Sequence, residues 1–236
     1  MSTCAFRFHG EDFIAYPSGA LHWPAQDALL AADLHLGKSE RLARRGGPLL
    51  PPFETEATLA RLQSDLGQSC ARKLILLGDS FDDDLASRAI LGAEGTTGSA
   101  TALRLLAKLC ADTELVWITG NHDPAPMGLA GQVTEEMMLA GLALRHIAGQ
   151  GPDISGHYHP KMRIAGQRRP AFLIGAPHLI LPAYGAYTGG LDYDAEPLRR
   201  LVPGGFGIVT GLAARMAPLA ACPLRRRVGG GGGATA

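Results

Sequence analysis

The segment LILLGDSFDDD, residues 74–84, places four aspartates after an apolar run and a single glycine. Short, continuous runs of Leu, Ile and Val are typical of strands that are buried on both faces. Acidic side chains at the end of such a strand are costly unless a positive charge compensates them or water reaches them. The segment therefore predicts either a bound cation at this strand end or a turn whose acids lie in water.

Other segments share the form of a short apolar run that ends in polar residues. They are DALLAADLH (27–35), ELVWITGNHD (114–123) and PDISGHYH (152–159). Two segments between the predicted strands have leucines at helical spacing: PFETEATLARLQSDLG (52–67), which ends on Gly67 as a candidate C-cap, and TALRLLAKLC (101–110). The alternation of strand and helix predicts βαβ units and a parallel sheet.

The two ends of the chain have a different pattern. Residues 4–23 and 161–212 contain short strand-like pieces separated by glycine and proline, and we expect no helix in the second of these regions. The whole pattern predicts an α/β fold, a four-layer αββα sandwich of two mixed sheets. We expect one domain over residues 1–228, followed by a disordered glycine-rich tail at 229–236.

Composition excludes few functions. Lys plus Arg and Asp plus Glu both number 22, so net charge gives no evidence for nucleic-acid binding. The four cysteines are scattered, which disfavours a disulfide scaffold or a thiolate zinc site. We find neither a signal-peptide pattern nor an apolar run of about 20 residues, the length that spans a bilayer. We therefore expect a soluble, cytoplasmic protein without membrane association.

Polar side chains cluster where the predicted strands end. They are Asp33, His35, Asp79, Asn121, His122, Asp123, His157 and His159. Because ligands bind at the carboxyl edge of open α/β sheets, we expect these side chains to converge. Carboxylate, amide oxygen and imidazole are ligands for divalent cations. Two residues with one residue between them, as in DLH and HYH, point the same way in an extended segment. The carboxylate of Asp79 could bridge two ions.

The order of these motifs resembles that of the calcineurin-like metallophosphoesterases. D-x-H, G-D, G-N-H-D, a lone His and G-H-x-H match here as DLH, GD, GNHD, His146 and GHYH, over residues 33–159. The segments ADLHLGKSERLARRGGPLLPP, LGDSFDD, LRHIAGQGPDISGHYHP and LPAYGAYTGGL are similar to the DNA-ligase-associated (PdeM) subfamily. This narrower resemblance extends over about residues 33–191.

The resemblance implies a role for each motif residue. One metal would be held by Asp33, His35 and His159, and the other by Asn121, His146 and His157. Asp79 would bridge the two ions, of which Mn²⁺ is the expected species and Fe or Zn²⁺ are alternatives. His122 would face the substrate phosphate, with Asp123 orienting it, while a metal-bridging hydroxide attacks phosphorus.

The subfamily implies a two-metal phosphodiesterase, a DNA-repair-associated endonuclease with a functional association with a DNA ligase and a helicase. DNA or another phosphodiester would be the substrate. An alternative is a phosphoesterase for a small molecule such as a nucleotide or cyclic nucleotide, which the zero net charge favours slightly. A scaffold that has lost catalysis is disfavoured because every ligand position of the pattern is present.

Some residues near the motifs keep alternative interpretations. Asp82 stands where the subfamily usually has histidine, so it could bind substrate differently, act behind the metal ligands or have no role. Asp83 and Asp84 are interpreted as loop or N-cap acids.

The basic residues after the first motif and the tyrosines of PAYGAYTGG also remain open. The basic cluster Lys38, Arg41, Arg44 and Arg45 could hold a nucleic-acid backbone or form a solvated helix face. Tyr184 or Tyr187 could stack on a base, although packing is the simpler interpretation.

Overall fold

The first sheet carries the βαβ part of the chain. The structure, a computed structural model, describes residues 2–51, 53–90, 97–121 and 129–219, with the side chains of 97–99 excepted. The first sheet has seven strands in chain order: β1 (Cys4–Phe8), β2 (Glu11–Ala15), β3 (Leu21–Trp23), β4 (Ala28–Ala31), β5 (Lys73–Leu77), β6 (Glu114–Ile118) and β7 (Gln132–Thr134). Strands β1 to β4 pair antiparallel, and β4 to β7 pair parallel.

The second sheet has eight strands, built from the later part of the chain. They are β8 (Glu136–Leu139), β9 (Leu142–Arg145), β10 (Asp153–Ser155), β11 (Lys161–Ile164), β12 (Gln167–Ile174), β13 (His178–Ile180), β14 (Phe206–Val209) and β15 (Arg215–Pro218). Strands β9, β10 and β13 pair parallel, whereas the remaining pairs are antiparallel. Each sheet is therefore mixed, as predicted.

Helices cover the outer faces of the two sheets. They are the 3₁₀ turn Pro24–Gln26, α1 (Lys38–Arg44), α2 (Glu54–Ser69), α3 (Asp84–Ile90), α4 (Thr97–Asp112) and α5 (Glu196–Leu201). Leu62 of α2 and Leu106 of α4 share a buried cluster with Leu74 of β5, and Leu198 of α5 packs on the outer face of the second sheet. In the described parts of the chain, every helix is too short or too polar to cross a lipid bilayer.

The largest buried cluster lies between the two sheets. Successive side chains of β5 point to opposite faces of the sheet, so Ile75 belongs to this cluster while Leu74 belongs to the cluster under the helices. Trp23 and Phe172, which come from opposite sheets, both belong to this cluster. A fully buried side chain of this size contributes about 1.5–3 kcal/mol by leaving water. The order helix, sheet, sheet, helix is the predicted sandwich.

Two local predictions were wrong. Gly67 does not end α2, which continues to Ser69 and ends on Cys70 in the left-handed conformation, with the Cys70 N–H donating to Leu66 O. The left-handed cap thus lies beyond the glycine, which stays inside the helix. A helix, α5, also exists in the C-terminal third, where none was expected. It has six residues and one buried side chain, too few for a periodic signal.

Candidate metal centre

The carboxyl ends of parallel strands from both sheets meet at one place. Seven polar residues follow these strands: Asp33 and His35 after β4, Asp79 after β5, Asn121 after β6, His146 after β9, and His157 and His159 after β10. Both predicted catalytic residues, His122 and Asp123, lie outside the described residues. The structure therefore brings together every predicted ligand and leaves the two catalytic positions undescribed.

These side chains form two compact groups. Ligand atoms of Asp33, His35 and His159, the first group, lie within 4.8 Å of one another, and so do those of Asp79, His146 and His157, the second group. The amide oxygen of Asn121 lies 3.0 Å from His146 Nε2 and adds an oxygen to the second group. This division matches the two ligand sets that the resemblance implies.

Asp79 lies between the two groups. Its Oδ2 is 3.5 Å from His146 Nε2 in its own group and 3.9 Å from His35 Nε2 in the first group. The side chain is buried. A single carboxylate is therefore within reach of two cation positions, which is the geometry that a bridging ligand requires.

Asp33 is buried and has one carboxylate oxygen that lacks a hydrogen bond. Oδ2 accepts the His157 N–H at 2.8 Å, whereas Oδ1 has no hydrogen-bond partner within the described part of the chain. The nearest ring nitrogen to Oδ1 is His159 Nε2, at 3.3 Å. An unpartnered buried carboxylate oxygen is costly, and a bound cation would remove that cost. The residues therefore fit a metal site.

Imidazole nitrogens also face each other in pairs. His35 Nε2 lies 3.3 Å from His159 Nε2, and His157 Nδ1 lies 3.1 Å from His146 Nε2. Two facing ring nitrogens cannot both carry a proton at this distance, so at least one lone pair in each pair points toward its neighbour. Lone pairs that converge in this way are suited to a shared cation.

Five of the seven candidate ligands have a strained backbone. Positive φ angles occur at Asp33 (54°), His35 (45°), Asp79 (47°), His157 (70°) and His159 (46°). Each such residue costs of the order of 1–3 kcal/mol, and such strain clusters at functional sites. The prediction that DLH and HYH are extended is therefore wrong, because left-handed residues turn the chain sharply at each ligand.

Gly78, which precedes Asp79, is required by the site. Its φ is +78°, and a Cβ there would overlap the ring of His146. The His146 Nδ1 lies 3.0 Å from Leu77 O, and this contact holds the ring beside Gly78. In the G-D motif, Asp79 is therefore a candidate ligand, and Gly78 leaves the space that the ring of His146 occupies.

The two histidines of the second group have opposite pKa shifts. Burial lowers the pKa of His146, but the carboxylates of Asp79 and Asp33 outweigh it, so the pKa is raised. Burial and the neighbouring His146 lower the pKa of His157. A lowered pKa favours the neutral form of His157, which is the form that binds metal.

Asp82 does not face the ligand groups but lies behind His35. It is fully buried, and its Oδ1 accepts from His35 Nδ1 at 2.8 Å and from Lys38 Nζ at 3.1 Å. Arg41 Nε donates to Oδ2. Burial alone would raise the pKa of Asp82, but the hydrogen bonds from His35 and Lys38 hold it well below its ordinary value. Among the three interpretations, this geometry favours a role behind the candidate ligand His35.

The neighbouring acids and bases are also paired. Asp83 Oδ1 accepts the Ala86 N–H at 2.8 Å, which is the predicted N-cap role at α3, and it pairs with Arg44 at 2.9 Å. Three members of the basic cluster, Lys38, Arg41 and Arg44, thus bind these two aspartates. Lys38 and Arg41 are mostly buried against Asp82, whereas Arg44 and Arg45 are exposed, so contact of this cluster with a nucleic-acid backbone stays a prediction.

The loop that contains PAYGAYTGG, after β13 of the second sheet, contacts the backbone of the first ligand group. Tyr184 N–H donates to Ala32 O at 2.8 Å, and Gly185 N–H donates to Asp33 O at 3.0 Å. Tyr184 is buried, and its hydroxyl donates to Asp65 Oδ2 at 2.8 Å. Packing is therefore the role of Tyr184, and it is not available to stack on a base, whereas Tyr187 is exposed.

Comparison with solved structures finds a nuclease and a phosphoesterase. A nuclease MPE from Pseudomonas putida superposes with a TM-score of 0.70 and 29% identity, covering 92% of this chain and 100% of that one. Yfce, a phosphoesterase from E. coli, gives a TM-score of 0.40 and 18% identity, covering 83% and 99%. No protein-family model and no curated protein matches the chain. The fold is that of the calcineurin-like metallophosphoesterases, as predicted.

Proposed function

We propose that this chain is a two-metal phosphodiesterase that cleaves nucleic acid. The observation that carries the proposal is the position of Asp79, whose carboxylate lies between two groups of potential ligands. The unpartnered oxygen of Asp33 and the facing histidines support it. Similarity to a nuclease over the whole length of that chain supports nucleic acid as the substrate.

Each group has a distinct part in the proposal. One divalent cation would be held by Asp33, His35 and His159. The other would be held by Asn121, His146 and His157. Asp79 would bind both cations. Two such ions lower the pKa of bound water and neutralise charge on a phosphoester during in-line displacement. The strained backbone of the protein would fix the ligand positions. His157 and His159 are half-buried and Asn121 is exposed, so a substrate could approach from their side.

The finer parts of the proposal come from the subfamily resemblance. We infer Mn²⁺ as the bound metal, and a role in DNA repair beside a DNA ligase and a helicase. Carboxylate, amide and imidazole ligands are compatible with Mn²⁺ but also with Fe or Zn²⁺. Metal analysis of protein purified without added metal would test the first inference, and co-purification with a tagged ligase from the source cells would test the second.

A substrate screen tests the proposed activity. Metal-stripped protein is assayed with and without Mn²⁺ on bis-(p-nitrophenyl) phosphate, the corresponding monoester, cyclic nucleotides, and single- and double-stranded DNA. An Asp79→Asn preparation serves as the control for contaminating nuclease. We expect Mn²⁺-dependent cleavage of the diester and of DNA by the wild type alone. Cleavage of small esters but no DNA would replace this proposal with the small-molecule alternative.

His122→Ala should separate metal binding from catalysis. The resemblance places His122 against the substrate phosphate, where a proton donor accelerates the reaction about 10²–10⁴-fold. We therefore expect the variant to retain two bound ions while its turnover of bis-(p-nitrophenyl) phosphate falls by that factor. Metal content and turnover are measured on the same preparation. Wild-type turnover would remove His122 from the catalytic role.

A further inference from the structure

Asp82 and the first ligand group contact opposite edges of one imidazole ring. His35 Nδ1 lies 2.8 Å from Asp82 Oδ1, while Nε2, across the ring, faces His159 Nε2 at 3.3 Å. Both Asp82 and His35 are buried. Because a carboxylate accepts hydrogen bonds, Asp82 selects the form of His35 that carries a proton on Nδ1. That form leaves the Nε2 lone pair directed at the ligand group.

The backbone fixes the relative positions of these two residues. His35 N–H donates to Asp79 O at 2.9 Å, Leu36 N–H donates to Ser80 O at 2.9 Å, and Asp82 N–H donates to Leu36 O at 3.0 Å. The segments after β4 and β5 therefore run side by side from Asp79 to Asp82. The contact between Asp82 and His35 is consequently built into the main chain, not left to two mobile side chains.

The charge of Asp82 is balanced without a proton. Lys38 Nζ donates to Oδ1 at 3.1 Å, and Arg41 Nε donates to Oδ2. Both cations are themselves mostly buried, with 14% and 16% of their side chains exposed. Asp82 thus presents a full carboxylate to His35, and α1 supplies the compensation.

The equivalent histidine of the second group has a different partner. His146 Nδ1 lies 3.0 Å from Leu77 O, a neutral backbone carbonyl. A carboxylate behind an imidazole increases its basicity as a ligand more than a carbonyl does. The two ligand groups therefore contain histidines of unequal donor strength.

We propose that Asp82 is a positioning residue that holds His35 as the Nδ1–H form and makes the first group the tighter of the two metal sites. This inference rests on the proposed function, because it assumes that both groups bind a cation. It adds an order of filling, with the Asp33, His35 and His159 site occupied first.

Titration of the metal-free chain with Mn²⁺ tests the inference. Calorimetry should resolve two sites of unequal affinity in the wild type. Asp82→Asn removes the charge but keeps the size, and it should weaken the tighter site about 10–100-fold, the usual effect of losing a partner behind a metal-bound histidine, while the other site is unchanged. Asp83→Asn is the matched control, because it removes one negative charge from the neighbouring residue. The Asp83 carboxylate pairs with Arg44 and caps α3.

A second measurement needs no variant. Long-range ¹H–¹⁵N spectra of the metal-free wild type should show His35 protonated on Nδ1, and the resonance should change in Asp82→Asn. An Nε2–H form in the wild type, or equal weakening of both sites in Asp82→Asn, would overturn the inference while leaving two-metal binding intact. A wild type that binds no Mn²⁺ would instead overturn the proposed function, and this inference with it.

Discussion

Asp79→Asn is expected to release both metal ions and to reduce phosphodiesterase turnover about 10³-fold. The carboxylate lies within 4 Å of the Nε2 atom of a histidine from each group, so both proposed cation positions would share it. An amide keeps an oxygen but loses the negative charge that offsets two adjacent cations. Metal catalysis contributes several kcal/mol, and about 4 kcal/mol corresponds to that factor.

The measurement is metal content after dialysis together with turnover of bis-(p-nitrophenyl) phosphate in added Mn²⁺. Asp84→Asn is the matched control, since Asp84 is an exposed residue at the start of α3 in the same acidic run. That variant should behave as the wild type. Two tightly held ions in Asp79→Asn would show that the carboxylate does not bridge the groups.

Gly185→Ala is expected to have the second largest effect. A Cβ at this position would overlap the backbone oxygen of Leu34, between Asp33 and His35. Since backbone cannot move aside cheaply, the loop must shift away and lose the hydrogen bond from Gly185 N–H to Asp33 O. Overpacking of this kind costs about 1–3 kcal/mol, and here the strain falls on two ligands of the first group.

Gly189→Ala provides the control within the same loop. A Cβ at Gly189 meets nothing within 4 Å, so this substitution should leave stability and metal binding unchanged. Denaturant unfolding and Mn²⁺ titration are compared for the two variants. If Gly185→Ala matched Gly189→Ala in both measurements, the loop after β13 would have no part in placing Asp33 and His35.

The convergence of Asp33, Asp79 and Asn121 was predictable because each one follows a recognisable strand. The parallel pairing of β4, β5 and β6 brings Asp33, Asp79 and Asn121 to one edge. Apolar runs could not show that β9 and β10 of the other sheet end at the same place, since periodicity carries no information on how two sheets pack. The placement of His146 depended on the resemblance, through the order of its motifs.

The surroundings of the ligands were less predictable. The sequence gives no sign that Asp82 lies within reach of Lys38 and Arg41, because α1 is a seven-residue helix with Ser39 as its buried residue. Without an apolar face, its direction could not be inferred. The anchoring of Tyr184 by Asp65 joins residues 119 positions apart and likewise has no local signal. Contacts of this kind follow from tertiary packing alone.

We expect one edge of the fold to hold two divalent ions. Diffraction from crystals soaked in Mn²⁺, collected near the manganese absorption edge, tests it most directly. We predict two anomalous peaks about 3.5–4 Å apart. One should contact Asp33, His35 and His159, the other Asn121, His146 and His157, and Asp79 should contact both. A single peak, or peaks away from these side chains, would contradict the account.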